Sequence, residues 1–211
     1  INVLADNESF LELRRNYGRS IVTGFCRLEG KPFALLASDC QHLGGAIDAT
    51  SAGKASEFLS ICDDHDIPIL ALVDTPGFMV GPDSEEESAV TKMSNLFKTG
   101  SKLSVPLIAV FLRKAYGLGA MAMVGGSFYQ PLYSASWPTG EFGGMGLEGA
   151  VQLGFKKELE AIEDPDEREA LFDQFVSLAY EKGKAIEAAA HLEIDAVIDP
   201  ADTRKIILKA Y

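Results

Sequence analysis

Apolar residues along this chain fall into two kinds of run, and their alternation predicts the order of elements. Ile21-Val22-Thr23-Gly24-Phe25-Cys26-Arg27-Leu28 and Pro32-Phe33-Ala34-Leu35-Leu36-Ala37-Ser38 flank Glu29-Gly30-Lys31, the pattern of a β-hairpin around a short glycine loop. Ile67 to Val73 and Val105 to Leu112 are almost continuously apolar, too short and too β-branched for helices, and read as strands buried on both faces. Between the strands the period lengthens. Ser51 to Asp64 places apolar residues at 52, 55, 58, 59, 61 and 62, an amphipathic helix capped by Thr50 or Ser51. Pro82-Asp83-Ser84-Glu85-Glu86-Glu87 reads as the acidic opening of a second helix, which continues through Val90, Met93, Leu96 and Phe97 to Lys102. Strand, helix, strand repeats twice, which predicts an α/β architecture with a parallel sheet and helices outside it.

The carboxyl-terminal part reads differently. Pro131 to Thr139 is expected to be a strand ending at a proline, and Gly140 to Val151 carries too many glycines for a simple helix, so it is expected to be a tight strand or loop approaching other backbone. Residues 156–168 predict an acidic surface helix-turn-helix around Pro165. Leu171, Phe172, Phe175, Val176, Leu178 and Ala179 predict a strongly amphipathic helix, and Asp199-Pro200 opens a final one. Residues 1–211 are thus expected to form one domain with a helical extension over 156–211. The apolar faces of 117–125 and 171–179 exceed what one small sheet needs, which predicts an oligomer. Residues 8–20 are expected to be a short helix or an extended segment.

Charge narrows the function classes. Asp and Glu number 31 against 19 Lys and Arg, a formal charge of −12, which argues against nucleic acid or an anionic membrane as partner. No 18-residue apolar segment and no basic-then-apolar start is present, so no transmembrane span or secretory leader is expected. Cys26, Cys40 and Cys62 lack metal-site spacing and read as reduced thiols; no metal site is expected, and the compartment expected is cytoplasmic, or the mitochondrial matrix for a eukaryotic source. Ile1 is not an initiator methionine, and the first residues read like the interior of a longer polypeptide.

The chemistry concentrates in Ser104 to Gly126, where a buried strand passes through Arg113-Lys114-Ala115-Tyr116-Gly117-Leu118-Gly119-Ala120 into a helix. The first N–H groups of a helix have no internal acceptor and carry its positive end. The amides of Leu118, Gly119 and Ala120 can therefore serve as an oxyanion hole; the alternative is a glycine turn that only lets helix and strand pack closely. Proline at 119 would remove a donor. Alanine there is expected to be milder, unless its Cβ blocks a close approach. A second candidate is Asp74-Thr75-Pro76-Gly77-Phe78, where a strand breaks sharply and presents the backbone of Gly77 and Phe78. Asp74 reads either as a base or as an acceptor for its own turn, His42 as a loop histidine or a catalyst, and Glu141 and Glu148 as caps or specific polar groups.

Asp74-Thr75-Pro76-Gly77-Phe78, Arg113-Lys114-Ala115-Tyr116-Gly117, Trp137-Pro138-Thr139 and Met145-Gly146-Leu147-Glu148-Gly149-Ala150-Val151, in this order, resemble the carboxyl-terminal half of a biotin-dependent carboxyltransferase of the acyl-CoA carboxylase β-subunit family. Val22-Thr23-Gly24-Phe25 and Ile194-Asp195-x-Val197-Ile198-Asp199-Pro200 extend the resemblance over nearly the whole chain. It implies a crotonase-like (ClpP/crotonase) ββα spiral with helices packed outside the sheet. It also implies transfer of a carboxyl group between carboxybiotin, borne on a separate carrier domain, and a coenzyme A thioester. Leu118 and Gly119 would be the catalytic backbone donors to the biotin ureido oxygen as it gains enolate character, and the biotin itself would take the α-proton. Pro76, Gly77, Phe78, Tyr116, Gly117, Ala120 and Met121 would bind biotin or substrate.

The partners implied are the amino-terminal carboxyltransferase half, on which the acyl-CoA mainly sits, a biotin carboxyl carrier, biotin carboxylase, and further copies or subunits in an oligomer. The same resemblance fits a biotin-dependent decarboxylase subunit, or a catalytically silent assembly module of this fold; a plain crotonase-like hydratase or isomerase fits least. Many family members read Arg-Lys-Ala-Tyr-Gly-Gly-Ala-Tyr-Asp, so Met121 stands here where a substrate-discriminating Asp can occur.

Overall fold

The computed structural model describes residues 1–81 and 89–211. Its first strands are β1 (Leu11–Leu13), β2 (Ile21–Leu28) and β3 (Lys31–Ser38), paired antiparallel, with β2 and β3 turning at Glu29 and Gly30. Gly30 takes φ +80°, a left-handed turn conformation that glycine adopts without a Cβ penalty. Residues 8–20 thus include an extended edge strand.

From β3 the sheet becomes parallel. Helix α1 (Ala49–Asp64) carries the chain to β4 (Ile69–Thr75), and α2, described over Ala89–Gly100, carries it to β5 (Leu107–Tyr116). The expected opening of α2 at Pro82 to Glu87 lies outside the described residues. Helix α3 (Gly117–Met123) follows β5 directly, then β6 (Tyr133–Ser136) and β7 (Glu141–Gly143). With β8 (Ala196–Val197) the sheet runs β1-β2-β3-β4-β5-β6-β8, and β7 pairs with the far end of β5.

Period-2 alternation divides the buried residues of the central strands between two faces. Ile69, Ala71 and Val73 join Phe58, Leu59, Leu96 and Met123 under α1, α2 and α3, while Leu70, Leu72, Ile108 and Val110 pack with Phe33 and Ile207 on the other side. Both faces are covered, which is why these strands read as unbroken apolar runs. Helix α1 begins at Asp48, whose carboxylate accepts from Ser51 N at 2.7 Å, so the cap lies two or three residues before the expected one. Ile61, placed in its apolar stripe, points outward, whereas Lys54 is wholly buried. Its ammonium donates to Ile21 O at 2.7 Å and reaches Gly18 O at 3.4 Å, tying α1 to the entry of β2; burial pushes its pKa down.

Two differences follow from tertiary pairing. The strand expected to stop at Leu112 runs on to Tyr116, because Lys114, Ala115 and Tyr116 pair with Glu141, Phe142 and Gly143. The Gly-rich stretch, expected as a tight strand or loop, forms the strand β7 and then a helix, α4 (Leu147–Gly154), over its later part. Beyond it lie α5 (Lys156–Glu160), α6 (Pro165–Lys182), α7 (Ala185–Ala190) and α8 (Thr203–Ala210). Asp164 caps α6 through the amides of Asp166 and Glu167 at 2.8 and 3.1 Å.

No residue of α6 is fully buried; Leu171, Phe172, Phe175 and Val176 are half-covered and Leu178 is exposed. By contrast the apolar side of α3, expected to be surplus surface, lies inside: Ala120, Ala122 and Met123 are completely buried. Among the described residues, α6 is thus one element that keeps an apolar side uncovered. Among the described residues no helix is long and apolar enough to cross a membrane.

Candidate active site at the carboxyl ends of the central strands

Strand β4 ends at Thr75, whose buried hydroxyl donates to Gly45 O at 2.7 Å and accepts from Gly77 N at 3.1 Å. The loop after it is then clamped by a short parallel bridge: Ile47 N donates to Gly77 O at 2.9 Å, and Met79 N to Ile47 O at 2.8 Å. A proline at 76 and a glycine at 77 with φ +115° are what this reversal requires. The Gly44-Gly45 turn is thus a support for the 75–79 loop, and His42 is a half-buried loop residue beside it.

Strand β5 ends one strand over. Tyr116 is still extended, at φ −105° and ψ 130°, and Gly117 turns the chain with φ +58° into α3. The N–H groups of Leu118 and Gly119 fall in the first turn, where the helix supplies no acceptor. Gly119 lies directly on the other loop. A Cβ built on it would sit 2.6 Å from Gly77 C and 2.8 Å from Phe78 N. A Cβ on Gly117 would meet Gly144 O at 2.7 Å. Glycines at these positions allow three backbone segments to touch.

The structure therefore brings Pro76, Gly77 and Phe78 together with Tyr116 to Met121. Gly119 and Ala120 are buried, with Ala120 packed in the core; Met121, Pro76 and Phe78 are half-buried, and Leu118 is 62% exposed at the tip of the turn. Phe78 packs on Phe97, with ring centroids 6.2 Å apart. The first-turn amides thus lie where the 75–79 loop, the Gly117 turn and Gly144 come together.

Asp74 does not bond its own turn. Its Oδ1 accepts from Lys114 N at 3.0 Å and its Oδ2 faces Arg113 Nη2 at 3.5 Å, filling the register shift between β4 and β5. A carboxylate committed to a strand amide and a guanidinium is poorly placed to be a base. Lys114 Nζ in turn donates to Gly44 O at 2.7 Å. Cys40 donates to Asp74 O at 3.2 Å, and burial together with Asp74 pushes its pKa up to about 11, so at neutral pH it is a thiol.

Two polar pairs escape a reading of the sequence. Tyr116 Oη donates to Glu141 Oε2 at 2.7 Å, and burial, reinforced by that acceptor, raises the phenol well above its ordinary range. Tyr180 Oη donates to Glu148 Oε1 at 2.6 Å, which holds the Glu148 carboxyl below its usual range and pushes Tyr180 up to about 12. Both glutamates thus have specific phenol partners. For Tyr116 and Glu141 the signal lies in the register of β5 on β7, a pairing of strands 25 residues apart; Tyr180 and Glu148 meet through the packing of α6 on α4.

The chain matches the model of the carboxyl transferase domain over residues 1–211. It is 35% identical over 207 residues to the methylmalonyl-CoA carboxyltransferase 12S subunit of Propionibacterium freudenreichii subsp. shermanii, covering 98% of this chain and 39% of that protein. It is 31% identical over 212 residues to the methylmalonyl-CoA decarboxylase subunit alpha of Propionigenium modestum, covering 100% and 40% respectively. Among solved structures, a single-chain, multi-domain long-chain acyl-CoA carboxylase superposes with a TM-score of 0.89 at 51% identity, covering 99% of this chain and 20% of that one. The transcarboxylase 12S hexamer with methylmalonyl-CoA bound superposes at 0.91 and 34% identity, covering 99% of this chain and 39% of its own. The chain thus spans about two-fifths of the length of these curated relatives. Their fold bears out the α/β, crotonase-like expectation. With residues 1–211 matched by that model, the chain belongs to the carboxyl transferase domain family.

Proposed function

We propose that this chain supplies the biotin side of a biotin-dependent acyl-CoA carboxyltransferase, with the backbone amides of Leu118 and Gly119 as its catalytic donors. The observation that carries the reading is the seating of the Gly119 turn on the Gly77-Phe78 peptide, which places first-turn amides beside a second backbone segment at the carboxyl ends of the central strands. A neutral, flat ureido ring suits this surface. It needs hydrogen-bond donors at its oxygen and apolar walls around it, and Phe78, Leu118 and Met121 are placed to provide such walls. As the carboxyl group leaves carboxybiotin, negative charge grows on that oxygen and the two amides stabilise it; removing one such donor typically costs about 2.7–4 kcal/mol. Asp74 and Glu141 already have partners, which agrees with a mechanism needing no carboxylate base.

On this reading the acyl-CoA rests mainly on an amino-terminal carboxyltransferase half, and biotin arrives on a carrier domain loaded by biotin carboxylase. The exposed apolar side of α6 suits a neighbouring copy or subunit in an oligomer. The same donors serve the reverse reaction, and the similarity to a decarboxylase subunit keeps that direction as a second reading.

The test is transfer of the carboxyl group from a carboxylated acyl-CoA to free biotin by the full-length carboxyltransferase. Transfer that depends on biotin is expected; its absence in a folded assembly would leave an assembly role instead. On this reading Met121, half-buried just past the donor turn, borders the acyl chain as well as the biotin ring, so Met121→Asp is expected to shift the preference between long and short acyl-CoA by about tenfold or more. Equal loss with all acyl chains would remove Met121 from that pocket.

A further inference from the structure

We propose that Glu141 is a positioning residue for carboxyl transfer, acting through Tyr116 on the donor turn; the inference rests on the reading of that turn given above. Tyr116 is the last residue of β5 and the one before the left-handed Gly117, so the orientation of its backbone sets the direction in which the amides of Leu118 and Gly119 point. Tyr116 as a whole is only 5% exposed, and its hydroxyl donates to Glu141 Oε2 at 2.7 Å. A buried phenol with one acceptor holds a single ring position. Without the acceptor it must turn towards water or remain unsatisfied, and either outcome disturbs the residue that starts the turn.

The register explains how the acceptor reaches it. Tyr116 stands opposite Gly143 on β7, and Lys114 opposite Glu141, so residues 116 and 141 share a face of this short pair on a diagonal. Gly143 has no side chain, and the tyrosine ring crosses the space above it: a Cβ there would lie 3.7 Å from Tyr116 Cδ1. Glu141 is itself on anchored backbone. Phe142 N donates to Gly183 O at 2.7 Å and Ala185 N to Gly140 O at 3.0 Å, so β7 is fixed by the segment joining α6 and α7. The neighbouring Glu148 takes a different phenol, Tyr180, whose Oη donates to its Oε1 at 2.6 Å. Glu141 thus refers the donor turn to a part of the chain outside it. It has no call to touch substrate.

In the full-length carboxyltransferase, Glu141→Ala is expected to lower kcat for carboxyl transfer to free biotin about 10- to 100-fold, with KM for acyl-CoA changed by about twofold or less, as a small misplacement of catalytic groups does. Glu141→Gln keeps a side-chain carbonyl that accepts the same phenol hydrogen, and should return kcat to within about threefold of the parent. Tyr116→Phe should reproduce the loss, and the double variant Glu141→Ala, Tyr116→Phe should be no slower than the worse single one, since the two groups act as a unit. If Glu141→Ala fails to fold, Tyr116→Phe, which keeps the ring, carries the same kcat-against-KM comparison.

Parent-like kcat in Glu141→Ala, a Glu141→Gln as slow as the alanine variant, or additive losses would each overturn the proposal. Gly119→Pro separates this inference from the reading beneath it. Loss of transfer in Gly119→Pro alongside an active Glu141→Ala removes only the positioning role. Retention in a folded Gly119→Pro removes the donor turn itself.

Discussion

Gly119→Pro in the full-length carboxyltransferase is expected to lower turnover about 10²–10³-fold, and Gly119→Ala, which keeps the N–H, to lower it less, by what the displacement forced by its Cβ costs. Two effects meet at this position. Proline removes the N–H proposed to bind the ureido oxygen. Any side chain, alanine included, also collides with backbone: its Cβ would lie 2.6 Å from Gly77 C and 2.7 Å from Gly77 Cα. Those are peptide atoms held by Thr75 and Ile47, not the loose end of a side chain, so either the 75–79 loop or α3 must move. A displacement of about 1 Å between groups that act together can cost about 10² in rate. The condition attached to a mild alanine effect, a Cβ free of close backbone, is not met at this position. The difference between the two variants measures the N–H; the loss they share measures the contact. Turnover with free biotin and thermal unfolding of both variants should be recorded together. Full activity and unchanged stability in Gly119→Ala would refute the close contact, and full activity in a folded Gly119→Pro would refute the donor.

The 211-residue chain on its own is expected to show no measurable carboxyl transfer to or from acyl-CoA. Its curated relatives are about two and a half times as long, and the proposed acyl-CoA contacts come from outside this chain. Holding two reactants in register is worth an effective molarity of about 10⁵–10⁸ M. A chain that binds only biotin forgoes most of that. Isotope transfer from a labelled carboxylated acyl-CoA to biotin should stay at background for the isolated chain and appear when the rest of the carboxyltransferase is added. Robust transfer by the isolated chain would overturn this division of the site.

What could be read from the sequence was what local chemistry dictates. The β2–β3 hairpin, the apolar runs of β4 and β5, and the strand-to-helix break at Gly117 all depend on period-2 burial and turn residues within a few positions of one another. The backbone at Gly77 and the turn at 117–120 were legible as candidates for the same reason, because proline and glycine at a strand end leave few other conformations. The motifs carried the family.

Only the tertiary structure could decide the rest, because it depends on partners far apart in the chain. Tyr116 belongs to β5 rather than to a turn because Gly143 pairs with it, and Glu141 reaches its phenol because that register puts both on one face. Gly119 packs on backbone because the β4–α2–β5 crossover lays Gly77 against it, a contact across 42 positions that no local pattern encodes. Lys54 sits in the core because two backbone carbonyls from the entry of β2 solvate its charge there. Periodicity sorts residues by the side they face. Folding chooses what they meet on that side, since long-range register is set by the sum of many burial and pairing energies and by no single stretch of chain.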